Sequence, residues 1–148
     1  MKMRKRLLLM AYGLCLSLII VVLISTTPSA AITTEKVEIH PETLNLESKG
    51  RWITVLTSLP EEYELSDINV TTVRLGIIPA AWGKVEGNKL MVKFDRQMVI
   101  DYIWAYKLYH MQIPLPQEGV EVDLTLSGEL YDGTPFEGSG TIRVILRG

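Results

Sequence analysis

Two histidines, His40 and His110, are the only imidazoles this chain could offer a nucleophile as a general base. A serine or threonine hydroxyl needs such a base within hydrogen-bond reach to become reactive. His40 stands directly before Pro41, with Glu38 and Glu42 close in sequence, and His110 stands between Tyr109 and Met111. A lone histidine in such a place is more simply a surface or hydrogen-bonding residue, so neither is assigned to catalysis. The single cysteine, Cys15, lies in an apolar N-terminal run that is expected to be removed, which excludes thiol chemistry from the rest. The adjacent acids Glu61 and Glu62 could hydrolyse glycosides only across a cleft, in environments that separate their pKa values. Side by side in a loop they read as solvated surface. Glu38 and His40 would put two metal ligands on one strand face, but no third is indicated, and hard cations need several oxygens together. No glycine-rich phosphate loop or dinucleotide fingerprint is present. The expectation is therefore a chain with no catalytic residue, no cofactor and no metal site.

Recognition has more to work with. Flat aromatic rings hold sugars by stacking on their apolar faces, provided the rings are exposed. Trp52, Trp82 and Trp104 are candidates, with Tyr102, Tyr106 and Tyr109 near the last. Trp52 falls in a β-branched, aromatic block and is expected in the core. Trp82, between Pro79 and Gly83, is expected in a loop and is the carbohydrate-binding candidate. Trp104, Leu108, Tyr109 and Met111 form the candidate contact patch for a protein partner. Asn69-Val70-Thr71 is an N-glycosylation acceptor pattern in a predicted loop.

The elements that position these residues are mostly strands. Val120, Val122, Leu124 and Leu126 alternate with Glu121, Asp123, Thr125 and Ser127, the period of a half-buried antiparallel strand. Tyr131-Asp132-Gly133-Thr134 follows as a hairpin turn, and Phe136, Ile142, Val144 and Leu146 continue the alternation on the return. Gly138 and Gly140 fall on the inner parity of that return strand, which predicts a bulge or a close backbone approach. Shorter strands are predicted around Val37 and Ile39, Leu44 and Leu46, residues 51–56, Val73 to Ile77, residues 84–86 and residues 90–94. Residues 59–69 read as an acidic loop with a brief helical turn.

One helix is predicted over residues 96–108, with Asp95 as its N-cap. Val99, Tyr102, Ile103 and Tyr106 make one apolar stripe at helical spacing, and Ile100, Trp104, Leu108 and Met111 make a second. The first docks the helix on a sheet. The second either buries under the Ile113-Pro114-Leu115-Pro116 segment or stays exposed for a partner. Short strands, regular turns and one helix predict an all-β, mainly antiparallel, immunoglobulin-like β-sandwich, with a small barrel as the alternative.

The N-terminus supplies an address. Lys2, Arg4, Lys5 and Arg6 precede an apolar run over residues 7–24, and Pro28-Ser29-Ala30-Ala31 supplies small residues. That order describes an export signal over residues 1–31, cut after Ala31, followed by a single domain over residues 32–148. The rival reading is an uncleaved anchor, since about 18 apolar residues are the lower limit for a membrane span. Of 15 basic side chains four lie in this leader, leaving 11 against 17 acids, a net charge of about −6. Such a domain repels polyanions, so nucleic acid is not an expected partner. It carries no disulfide and must hold by its core alone. The chain ends at Arg147-Gly148 with no hydrophobic tail, so no C-terminal anchor is expected.

A resemblance adds to this. The run from Ile39 to Thr54, IHPETLNLESKGRWIT, resembles the opening of a domain of exported archaeal and some bacterial surface proteins, usually IxPxTLNLxSKGxWITxxIxLP. Ser66-Asp67-Ile68, Thr72-Val73-Arg74-Leu75 and Val92-Lys93-Phe94-Asp95-Arg96 are similar to its middle. Leu126-Ser127-Gly128-Glu129-Leu130, Gly133-Thr134-Pro135-Phe136-Glu137-Gly138 and Ile142-Arg143-Val144 are similar to its end. The likeness covers nearly all of the chain after the leader. It implies an extracytoplasmic β-rich module, often attached to other surface domains, without an established catalytic role. Many members carry an Asp-rich, calcium-type loop where this chain has Trp82 to Lys89 with one acid, which speaks against calcium binding here. The stretch over residues 104–117 is longer and more aromatic than the pattern. The expected function is a non-catalytic secreted or cell-surface module with a structural or protein-interaction role. Its partners would be other surface or secreted proteins, and it would meet the membrane only through the N-terminal segment. The alternative is a carbohydrate-binding module for surface glycans, and a hydrolytic enzyme stands last.

Overall fold

The computed structural model describes residues 30–109 and 118–146. The leader with Cys15, and His110, Met111 and residues 113–116, lie outside them. Ten strands are described: β1 (Ile32–Thr33), β2 (Lys36–His40), β3 (Thr43–Asn45), β4 (Trp52–Ser58), β5 (Ile68–Leu75), β6 (Ile78–Pro79), β7 (Trp82–Glu86), β8 (Lys89–Asp95), β9 (Val120–Leu130) and β10 (Pro135–Ile145). A 3-10 turn at Leu65–Asp67 precedes β5, within the stretch expected to hold a helical turn. One sheet runs β1-β10-β9-β5-β6, with β3 also on β10, and the other runs β2-β4-β8-β7. The second order matches the A-B-E-D sheet of immunoglobulin domains, and β5-β9-β10 matches their C-F-G sheet. The chain is an all-β, immunoglobulin-like sandwich with one short helix.

The alternation in the sequence becomes the packing between the sheets. Val122, Leu124 and Leu126 of β9 and Phe136, Ile142 and Val144 of β10 are buried, as are Ile53 and Val55 of β4 and Leu90, Val92 and Phe94 of β8. Each such side chain contributes about 1.5–3 kcal/mol relative to exposure, which lets the core hold without disulfides. The β9–β10 hairpin turns as its residues predict: Gly133 takes φ 86°, and the Asp132 carboxylate accepts from the Thr134 N–H at 2.8 Å.

The N-terminal chain crosses twice between the sheets. β1 lies parallel to the start of β10 (Ile32 beside Phe136), β2 joins β4 in the other sheet, and β3 returns to lie parallel to the end of β10 (Thr43 beside Arg143). The return passes through a cis peptide at His40-Pro41. Where β2 crosses, β10 has glycine. A Cβ on Gly140 would stand 2.8 Å from the Val37 carbonyl oxygen, and one on Gly138 would strike Thr34 and Val37. The close backbone approach expected at these two positions is the observed arrangement.

The helix starts where predicted and then changes pitch. The Asp95 Oδ1 accepts from the Met98 N–H at 3.1 Å and caps α1 (Arg96–Tyr102). Ile103–Leu108 continues as a π-helical turn, closed by the Tyr109 N–H on the Trp104 carbonyl. The wider turn brings Leu108 to the side of Ile103, and Val99, Ile100, Ile103 and Leu108 all join the core. The two expected stripes are thereby redistributed. Tyr106 and Trp104 are exposed, one from each stripe, while the buried face draws on both.

Three other placements correct the sequence reading. Trp52 is half-buried on the outer face of β4, because Ile53, Val55 and Thr57 take the inner parity. Trp82 is the first residue of strand β7 and not part of a loop. Asn69 lies in β5, at the start of a register irregularity between Asn69 and Arg74, and not in a free loop. Its Oδ1 accepts from the Thr71 hydroxyl at 2.6 Å.

Candidate functional site

Among the described residues, the helix end of the sandwich gathers the exposed side chains of Ile77, Met98, Trp104, Tyr106 and Tyr109. Gly76 turns the chain between β5 and β6 at φ 62°, and this throws Ile77 outward. The ring of Tyr102 lies directly over Gly76, where a Cβ would fall 2.6 Å from its Cζ. Tyr102 packs against Tyr106 with ring centroids 5.2 Å apart. Ile77, Ile78, Met98, Ala105 and the two tyrosines line a groove of about 300 Å³, with Asp101 as its one acid. Asp101 accepts from the Gln97 amide at 2.9 Å. A groove of this make-up suits an apolar side chain and offers a carboxylate to a neighbouring cation.

Of the expected contact patch, Trp104 (43% exposed) and Tyr109 (78%) are at the surface of the same helical segment. Leu108 is not. It is 6% exposed and packs in the core, a correction that follows from the π turn. Met111 lies outside the described residues. Met98 was not singled out in the sequence, and Ile77 was read as continuing the alternation of Val73 and Leu75, whereas it is exposed beyond the end of β5. The signal for Ile77 was Gly76, which ends the alternation one residue earlier.

The outer face of β2-β4-β8-β7 is a second surface. The strand register puts Trp52 beside Asp95, then His40, Thr54, Lys93 and Trp82 in one row, then Glu38, Leu56, Met91 and Lys84 in the next. Trp82 is 40% exposed, with the Lys93 ammonium 5.3 Å from its ring centroid. The Arg51 guanidinium stands 4.8 Å from the Trp52 ring. Farther along the face, Lys36 and Lys89 each reach Glu38 at 2.8 Å, and Lys84 meets Glu86 at 3.1 Å. The Lys36 hydrogen bond and then that of Lys89 hold the Glu38 carboxyl down at about 2.

His40 shares a cleft of about 450 Å³ with Glu38, Glu42, Glu121, Thr141 and Arg143. The Thr141 hydroxyl there is committed to Asp123 at 2.6 Å. Glu61 lines a different cleft with Glu35 and Glu64, at the far end of the sandwich. No cluster of three metal-binding side chains occurs among the described residues, and no helix among them is long and apolar enough to cross a membrane. Sequence reasoning also missed Arg96, which is 6% exposed. Its guanidinium donates to the Asn45 carbonyl at 3.1 Å and to the Ser48 hydroxyl, fixing the loop before β4.

Comparison with known proteins leaves the site to speak for itself: no family model matches this chain, and no curated protein matches it.

Proposed function

We propose that the chain is an exported, non-catalytic surface module that works by holding another protein. The carrying observation is the apolar groove beside the aromatic helix, lined by Ile77, Met98, Tyr102 and Tyr106. Exposed apolar surface of this kind, with aromatic anchors and a polar rim, has the make-up of a protein contact. The leader over residues 1–31 supports a location outside the cytoplasm, and the resemblance to exported surface modules agrees with it. The partner presents an apolar side chain beside a lysine or arginine, to meet Asp101.

A photo-crosslinking side chain at position 106, introduced in the producing cell, tests this. The expected adduct is with one exported or surface protein, and it weakens in Trp104→Ala and Ile77→Ser. Adducts spread evenly over many proteins, or recovery of the chain from the cytosol with Met1 intact, would refute the reading.

A further inference from the structure

The groove does not account for the opposite flank of the helix end, where two tryptophans lie on one strand surface. By the register, Trp52 on β4 and Trp82 on β7 are separated by β8 and offset by two residues. At about 4.8 Å per strand and 3.4 Å per residue their Cα atoms stand about 12 Å apart. That is the length of a short oligosaccharide laid across the sheet. Each indole has its own cation, Arg51 on Trp52 and Lys93 on Trp82. Among the described residues neither cation forms an ion pair with a carboxylate, whereas Lys36, Lys84 and Lys89 on the same face each contact one, Lys36 and Lys89 sharing Glu38 and Lys84 meeting Glu86. Asp95, opposite Trp52 in the register, spends an oxygen on the helix cap.

We infer that this end of the outer face binds an acidic saccharide, with sugar rings stacked on Trp52 and Trp82 and their carboxylate or sulfate groups paired with Arg51 and Lys93. Stacking alone would accept neutral sugars equally. The two uncompensated cations select the anionic ones, and they displace from the ring faces to meet the ligand. The acidic total of the domain does not forbid this. At physiological salt, charges beyond about 8 Å are largely screened, so a bound sugar responds to the cations beside it. The other half of the face supplies the boundary, since each of its lysines is already held by a carboxylate. The site lies on a different surface from the groove and stands or falls apart from it.

The probes are a galacturonate hexasaccharide and a neutral galactose hexasaccharide, titrated into the domain and followed by the indole N–H resonances in NMR. The acidic sugar should move the Trp52 and Trp82 signals and leave Trp104 in place, and the neutral sugar should bind at least about tenfold more weakly. Trp82→Ala should cost about tenfold or more in affinity, and added salt should weaken binding. Lys93→Gln keeps the ring and should narrow the difference between the two sugars, and adding Arg51→Gln should remove it. Lys84→Gln, on the paired half of the face, should change nothing. No shift at millimolar acidic sugar, equal binding of both sugars by the unaltered domain, or shifts confined to Trp104 would overturn the proposal.

Discussion

Glu38 shows how this surface settles its charge. Two lysines from different strands converge on one carboxylate, and its pKa falls to about 2 from an ordinary 4.5. A carboxyl lowered on folding adds stability that is whole above the unfolded value and is lost as pH falls through the folded one. NMR titration of the Glu38 side chain should therefore give a midpoint near 2. A midpoint at the usual glutamate value would mean that the lysines do not hold it. Glycine sets the opposite kind of constraint. The Cβ of Gly140→Ala would meet a backbone oxygen that cannot rotate aside. Urea denaturation should show a loss of about 1–3 kcal/mol, the usual cost of overpacking. This constraint was legible, since two glycines on an inner parity invite a crossing strand. The place of Trp52 was legible too, had parity been preferred to composition: Ile53 and Val55 inside require Trp52 outside.

Elements fixed by neighbours in sequence were the readable ones. The β9–β10 hairpin follows from its alternation and an Asp-Gly turn, and α1 begins at Asp95 because a carboxylate there satisfies a free N–H of the first turn. Asp95→Ala should cost about 1 kcal/mol in chemical denaturation, and a smaller effect would show that packing alone places the helix start. Elements fixed by distant partners were not readable. The π turn over Ile103–Leu108 depends on which side chains the core accepts, and a regular helical wheel put Leu108 in a second stripe with Trp104, away from Ile103. Ile103→Ala should destabilise by about 2–5 kcal/mol, whereas Tyr106→Ala should stay within about 0.5 kcal/mol. Equal effects would return Tyr106 to the core stripe. β2 and β3 were readable as short alternations split by Pro41, but β1 and the sheet that each piece joins were hidden, because each pairs with a strand far along the sequence.

At the scale of the molecule, the register separates two ends. β1 begins beside Phe136, near the β9–β10 turn, while the helix starts beside the end of β2, whose continuation β3 lies beside Arg143. Seven residue steps along β10 separate the two positions, roughly 24 Å at 3.4 Å per residue. The leader joins the first end and the groove opens at the second. An anchored chain would thus hold its groove away from its own membrane, toward whatever faces the cell. Intact-mass analysis of the exported protein should find Ile32 as its first residue. Retention of Met1 in a membrane fraction would instead select the anchored form. The fold class was legible from periodicity, whereas the groove was not, since it joins a turn and a helix about 20 residues apart that only the folded chain brings together.

The parallel seating of β1 and β3 on β10 bears on how the domain would carry force. Tension applied at Ile32 and at Leu146 pulls these strands lengthwise past one another, so their interstrand hydrogen bonds are loaded together instead of opening one by one. Such a clamp resists sliding far better than peeling. A module strung between a cell and a neighbour could then stay folded under a pull that would unzip a simple hairpin.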